Sequence, residues 1–229
     1  MLEQLKKEVY EANLALFKEK LAIHTWGNAS SIDRNLCLVV IKPSGVDYNI
    51  MKPENMVVVN LDGKIVDGNY KPSSDTATHL ELYKSFNGIG GIAHTHSQWA
   101  TSWAQAQRSI PCYGTTHADC FFGEIPCTRD LLELEVEENY EINTGRIIIE
   151  AFRDKDPLNI PGILCSRHGP FTWGKNVKDA IYNASVLEEC AKIAYYTEKL
   201  NKNISKLPQY LINKHYTRKH GPKSYYGQD

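Results

Sequence analysis

The chain has 229 residues, 42% hydrophobic and 23% charged, a composition that supports one globular unit with a sizeable core. Its 26 Lys and Arg against 27 Asp and Glu leave a formal net charge of -1, without the basic bias of a nucleic-acid or anionic-membrane binder. No signal-peptide pattern and no membrane-length apolar run is found, and Cys37, Cys112, Cys120, Cys127, Cys165 and Cys190 form no C-x-x-C pair, so free thiols in a cytoplasmic protein are expected.

Residues 2–20 carry Leu2, Leu5, Val9, Ala12 and Leu16 at helical spacing with charges between them, which predicts an amphipathic helix. The runs 36–41 and 56–61 are β-branched and apolar and read as strands. Asp62-Gly63 ahead of Lys64-Ile65-Val66 is a hairpin signal. Leu80, Tyr83 and Phe86 mark one face of a helix over 76–86, and the short apolar run 89–96 reads as a buried strand ending in a site. Helices are predicted over 97–106 and 130–140, and strands over 146–150 and 162–167. The strongest helical pattern spans 176–200, with Asn176 as N-cap, Asp179 in the first turn and Ala180, Ile181, Ala184, Leu187, Ala191 and Ala194 as the apolar stripe. The sum is a mixed α/β chain with helices on the faces of a sheet.

Chemistry concentrates in Gly90-Gly91-Ile92-Ala93-His94-Thr95-His96-Ser97. On a strand, side chains two apart share a face, so His94 and His96 can converge on one cation. Two half-exposed histidines at a strand end are the plain alternative. His168, where an apolar run breaks into Gly-Pro, is either a third ligand or a loop residue, and Asp75 is either a carboxylate ligand or a helix cap. Three small-residue segments, 26–30, 42–45 and 73–75, are able to present backbone amides to an anion, although each is also an ordinary turn. Neither G-x-x-x-x-G-K-[ST] nor G-x-G-x-x-G occurs, which argues against P-loop and standard dinucleotide folds. Asp119, in the polar stretch Thr115-Thr116-His117-Ala118-Asp119, is a candidate proton-transfer group. The basic, aromatic C-terminus from His215 to Gly227 reads as a frayed tail or as one docked on another subunit, the latter fitting its composition better.

Together, T-W-G-N at 25–28, I-K-P-S-G-V at 41–46, P-S-S-D-T at 72–76, H-T-H-S at 94–97, G-T-T-H-A-D at 114–119, I-P-C-T-R at 125–129, H-G-P-F at 168–171 and K-H-Y-x-R-K-H-G at 214–221, with Y-Y-G-Q at 225–228, resemble the L-ribulose-5-phosphate 4-epimerases, relatives of the fuculose-phosphate type of class II aldolase. The resemblance runs through nearly the whole chain. It implies a single α/β domain over 1–229, with a central, mainly antiparallel sheet flanked by helices on both faces. It implies a homotetramer with active sites at subunit interfaces, the tail 208–229 contributing to a neighbour's site.

Carried over by position, the metal ligands are Asp75, His94, His96 and His168, holding Zn2+ or another divalent ion such as Mn2+ or Co2+. The substrate-phosphate contacts fall on Gly27, Asn28, Ser44, Gly45, Ser73 and Ser74. Asp119 and Tyr226 are the acid/base pair, with Thr115, His215 and Arg218 in support. The reaction implied interconverts L-ribulose 5-phosphate and D-xylulose 5-phosphate at C4 by retro-aldol cleavage of C3–C4, fragment rotation and re-addition, in arabinose or ascorbate breakdown. C4 is not adjacent to the ketose carbonyl, so plain C–H abstraction there yields no stabilised enolate. Three departures stand out: Cys120 where an aromatic is expected, Arg167 where a small, neutral or histidine residue is expected, and Phe17 in place of a proline. The alternatives are an aldolase that releases its aldehyde and a metal-free interaction module, the latter opposed by the presence of all four ligand candidates. Neither a nucleic-acid nor a membrane partner is expected.

Overall fold

The computed structural model describes residues 2–220 and 224–225, and its frame is a seven-stranded sheet in which every neighbouring pair is antiparallel. In chain order the elements are α1 (Glu3–Lys18), β1 (Asn28–Asp33), β2 (Leu38–Ile41), a 3-10 turn (Pro53–Asn55), β3 (Val57–Asn60), β4 (Ile65–Asp67), α2 (Thr76–Ser85), β5 (Gly91–His94), α3 (Gln98–Gln105), α4 (Thr115–Ala118), α5 (Glu133–Ala151), β6 (Gly162–Cys165), β7 (Gly169–Gly174), α6 (Val177–Leu200) and α7 (Gln209–His220). The strand order is β4-β3-β2-β1-β5-β7-β6.

Away from the edge strand β4 both faces of the sheet are buried, which is why β2, β3 and β6 read as apolar runs rather than alternating ones. Val39, Val57, Val59, Ile92, Ile163 and Phe171 meet α2, α3 and α5 on one face. Val40, Val58, Ala29 and Ala93 pack beneath α1 and the first half of α6 on the other. Leu187, Cys190, Ala191 and Ala194, further along α6, join the first core. Burial of a large apolar side chain such as Phe171 or Ile92 contributes roughly 1.5–3 kcal/mol. Asn176 caps α6 as expected, its side-chain oxygen accepting the Asp179 N–H at 2.9 Å.

The register brings the loops of interest to one end of the sheet. Asn28 pairs with His94 and His94 with Phe171, so the start of β1, the end of β5 and the start of β7 form one row. Antiparallel pairing adds the end of β2, and with it Lys42 to Gly45, to the same edge. Ser44 and Ser73 are then tied across by backbone bonds, Ser44 N–H to Lys71 O and Ser73 N–H to Lys42 O, both 2.9 Å. Glu188 of α6 anchors the helix after the H-x-H segment: its two carboxylate oxygens accept the Trp99 and Ala100 N–H groups at 2.8 and 2.9 Å, occupying donors that α3 leaves open at its N-terminus.

Two sequence expectations need correction. The strand expected over 146–150 is the last part of α5, and the helix expected over 130–140 is its first part, starting at Glu133 and kinked at Asn139 (φ -156°, ψ 66°). Ile147, Ile148 and Ile149 are β-branched, but Ile148 and Phe152 stand four apart and both enter the core beside α2, so helical packing overrides strand propensity. Strands β1 and β7 and helix α7 are additions that the sequence patterns do not announce. β1 is Asn-Ala-Ser-Ser-Ile-Asp, a buried strand whose polarity hides it. Ser30 Oγ is satisfied inside by His79 Nδ1 at 2.7 Å and Tyr83 OH at 2.9 Å. Among the described residues no helix is long and apolar enough to cross a membrane.

Candidate metal centre and active site

His94 ends β5, 1% exposed, with its ring stacked on Phe171 at 4.1 Å between centroids. Its Nδ1–H donates to Pro170 O at 3.0 Å, which fixes the tautomer and leaves Nε2 with a bare lone pair. That nitrogen faces His96 Nε2 at 3.1 Å, and the His168 ring lies 4.7 Å from the His94 ring. One nitrogen from each of the three histidines lies within 4.8 Å of the others. Burial, followed by the like charge of His168 and His96, holds His94 well below the ordinary imidazole range. Burial likewise lowers His96, and burial with the His96 charge lowers His168, each partly offset by Asp75. Three imidazoles held neutral, with ring nitrogens converging, form a donor set that suits zinc or a similar divalent ion. His96 lies two residues beyond the end of β5, yet its ring still reaches the cluster, as the H-x-H spacing implies.

The triad opens onto a cavity of about 550 Å³ whose wall includes His96, His168, Asp75 and all six expected phosphate contacts: Gly27, Asn28, Ser44, Gly45, Ser73 and Ser74. Asp75 stands at the cap position of α2 but makes no capping bond; its Oδ2 instead accepts Asn28 Nδ2 at 2.6 Å. It belongs to the same cavity while lying outside the tight three-histidine group. Asn28 Oδ1 is buried without a partner beside it, a polar atom in want of a ligand. Gly27 has φ +78°, and a Cβ there would come within 2.8 Å of His94 O, so the loop before β1 requires glycine to pass the end of β5.

Three lining residues, Lys42, Tyr140 and Glu141, have no role assigned from the sequence. Lys42 is 2% exposed with Nζ 4.8 Å from the Tyr48 ring centroid, and burial lowers its pKa to about 8 against the raising effect of Asp47. Its position inside the I-K-P-S-G string is the available signal. Tyr140 reaches His168 Nδ1 at 3.5 Å from beyond the kink in α5, which no local pattern announces. Arg167, the departure beside the third histidine, is exposed and turns its guanidinium to Asp130 at 3.1 Å.

Asp119 lies elsewhere. It ends α4, with Thr115 O accepting its N–H at 2.9 Å, and its carboxylate accepts Arg218 Nε at 3.0 Å, Arg218 Nη2 at 2.7 Å and His215 Nδ1 at 3.1 Å from α7. Burial alone would raise this carboxyl; Arg218, His215 and Lys219 hold it below the usual carboxylate range. It lines a second cavity of about 290 Å³ with Lys219, His220 and Tyr182. Thus one chain brings together Asp119, His215 and Arg218, and separately the triad, Asp75 and the six small-loop residues. Tyr226 lies outside the described residues.

Two buried histidines outside the candidate ligand set give a pH prediction. Burial lowers His79 to about 3 and His117 to about 4, whereas unfolded imidazole titrates near 6.5. The unfolded chain therefore binds more protons below that value, and stability, complete above it, falls as pH drops. For the two together the loss between pH 7 and 5.5 is about 2.5 kcal/mol by linkage. In chelated protein His94, His96 and His168 add to the loss with the same sign, so the check is by difference: over this interval His117→Gln should lose about 1.2 kcal/mol less than wild type in urea unfolding.

Residues 7–195 match the family described as Class II Aldolase and Adducin N-terminal domain. Among solved structures, an L-fuculose 1-phosphate aldolase superposes with a TM-score of 0.79 at 24% identity, covering 93% of this chain and 94% of that one. YgbL from Klebsiella pneumoniae, a putative aldolase/epimerase/decarboxylase, gives 0.72 at 23% identity, covering 93% and 99%. The L-fuculose-1-phosphate aldolase of Thermus thermophilus gives 0.68 at 22% identity, covering 89% and 98%.

Proposed function

The chain belongs to the class II aldolase family, and from that premise we propose that it is a divalent-metal-dependent L-ribulose-5-phosphate 4-epimerase. The observation that carries the metal-dependent sugar-phosphate reading is the neutral three-histidine cluster opening onto the small-loop cavity. The epimerase choice rests on the H-A-D segment and the tail strings in the sequence.

His94, His96 and His168 with Asp75 would hold the ion, which supplies Lewis-acid stabilisation of negative charge developing on the ketose oxygens. The loops at Gly27-Asn28, Ser44-Gly45 and Ser73-Ser74 bind the substrate phosphate, with the buried Lys42, two residues before Ser44, as a nearby positive charge. With the phosphate held, the C4 hydroxyl proton passes to a protein base as C3–C4 breaks, giving glycolaldehyde phosphate and a three-carbon enediolate. The aldehyde rotates, the bond re-forms on its other face, and a protein acid protonates the new alkoxide. Asp119, ionised through its α7 partners, and Tyr226 fill these two roles from opposite faces. Since the Asp119 cavity is separate from the triad cavity within one chain, a homotetramer completes each site by bringing one subunit's Asp119 and tail region, 208–229, to a neighbour's metal half.

Product analysis on L-ribulose 5-phosphate tests the reading. D-xylulose 5-phosphate without accumulating aldehyde is expected. Stoichiometric release of glycolaldehyde phosphate would instead make the protein an aldolase, the class to which two of the structural neighbours are assigned by name.

A further inference from the structure

We propose that Asp130 is a positioning residue that fixes the turn carrying His168 and thereby sets the affinity of the three-histidine site for its metal, an inference that rests on the metal-centre reading above.

The turn is three residues long, Ser166-Arg167-His168, between Cys165 of β6 and Gly169 of β7. Arg167 sits at φ +61°, a left-handed conformation costly to any residue with a Cβ and normally left to glycine or asparagine. The strained backbone persists because it is gripped from outside. The Ser166 N–H donates to Thr128 Oγ1 at 3.0 Å and the Arg167 N–H to Ala104 O at 2.9 Å.

Asp130 then holds the side chains of both residues that precede the ligand. One carboxylate oxygen accepts the Ser166 hydroxyl and the other accepts Arg167 Nε at 3.1 Å. Gln107 Nε2 bridges the same two oxygens at 2.9 and 2.8 Å, and Gln107 Oε1 accepts from Arg167 Nη2 at 3.3 Å. The result is a clamp joining the end of the α3 region, the segment before α5 and the β6–β7 turn.

His168 itself is weakly tethered. Its Nδ1 is 3.5 Å from the Tyr140 hydroxyl, a long contact, and its ring otherwise packs against the His94, His96 and Phe171 rings. The aim of its ligand nitrogen therefore follows the backbone of the turn. Arg167 and Asp130 are exposed, and exposed pairs contribute little to global stability. Loss of the clamp should appear in metal affinity rather than in the melting temperature of the chelated protein. The same network explains how an arginine is accommodated beside the third histidine: it faces the clamp rather than the cavity.

The test is Zn2+ affinity by competition with a chromophoric chelator, together with the visible ligand-field spectrum of the Co2+-loaded protein. Wild type, Asp130→Ala, Asp130→Asn and Asp130→Glu are compared, with the melting temperature of each chelated protein. The expectation is about tenfold or greater loss of Zn2+ affinity for Asp130→Ala, in the range seen when outer groups around metal ligands are removed, with an altered Co2+ spectrum and partial recovery in Asp130→Glu. The chelated melting temperatures should agree within about 2 °C, as for loss of an exposed pair. If Asp130→Ala fails to fold, the near-isosteric Asp130→Asn decides in its place, with the same direction expected. Wild-type affinity and an unchanged spectrum in a folded Asp130 variant would overturn the proposal while leaving the metal-centre reading intact. Failure of wild type to bind Zn2+ or Co2+ would overturn the metal-centre reading, and this inference with it.

Discussion

His94→Ala is expected to abolish tight metal binding and to lower turnover of L-ribulose 5-phosphate by about 10³-fold or more, since Lewis-acid stabilisation supplies several kcal/mol and each 1.36 kcal/mol is a factor of ten. His94 is the most buried of the three imidazoles, and its bonded Nδ1 leaves Nε2 directed at His96. Its removal also unstacks Phe171, leaves a cavity beside it and takes one of the two donors from Pro170 O, which keeps the Thr95 N–H at 3.3 Å, so a loss of stability accompanies the loss of metal. His96→Ala separates the two effects. That residue is exposed, so its truncation should remove the same activity with little change in the melting temperature of the chelated protein. Metal content after gel filtration, turnover and thermal melts on both variants check this; a fully active, metal-free His96→Ala would contradict it.

Asp119→Asn is expected to behave oppositely with respect to metal. Removal of a general acid or base costs typically 10²–10⁴-fold in turnover, while the triad, to which Asp119 contributes no ligand, keeps its affinity. The amide preserves shape but neutralises the charge that Arg218 and Lys219 face and removes one acceptor from the bonds that dock α7 on α4. Steady-state rates in both directions, with Zn2+ affinity measured alongside, provide the check. Unchanged turnover would remove Asp119 from the chemistry and leave it as an anchor for α7.

Much of this site is legible in the sequence because its parts depend on local chemistry. His94 and His96 stand at a spacing that converges at a strand end, and the Gly, Ser and Asn loops carry small residues where a backbone must approach closely. Asp75 is harder: position alone does not separate a helix cap from a metal carboxylate, and its bond to Asn28, 47 residues away, requires the fold. Lys42 stays hidden because burial of a lysine is a tertiary property. The strands that escape notice, β1 and β7, are built largely from Ser, Asn, Gly, Pro and Trp, and their strand character comes from pairing on both sides rather than from propensity. Isoleucines 147–149 mislead in the opposite direction, since their β-branched run is read in the structure by α2, on a helical period. The tail reads as an end docked on another subunit, and its described part is a helix packed on α4 of its own chain, with Tyr216 hydrogen-bonded to Asn159 at 3.0 Å.

The most direct test of the central claim is a coupled assay for D-xylulose 5-phosphate formed from L-ribulose 5-phosphate, run on the protein as purified, after chelation, and after reloading with Zn2+ or Mn2+. The account predicts xylulose product that disappears on chelation and returns with metal. Reloaded protein with three histidines occupied and no xylulose 5-phosphate formed would contradict it.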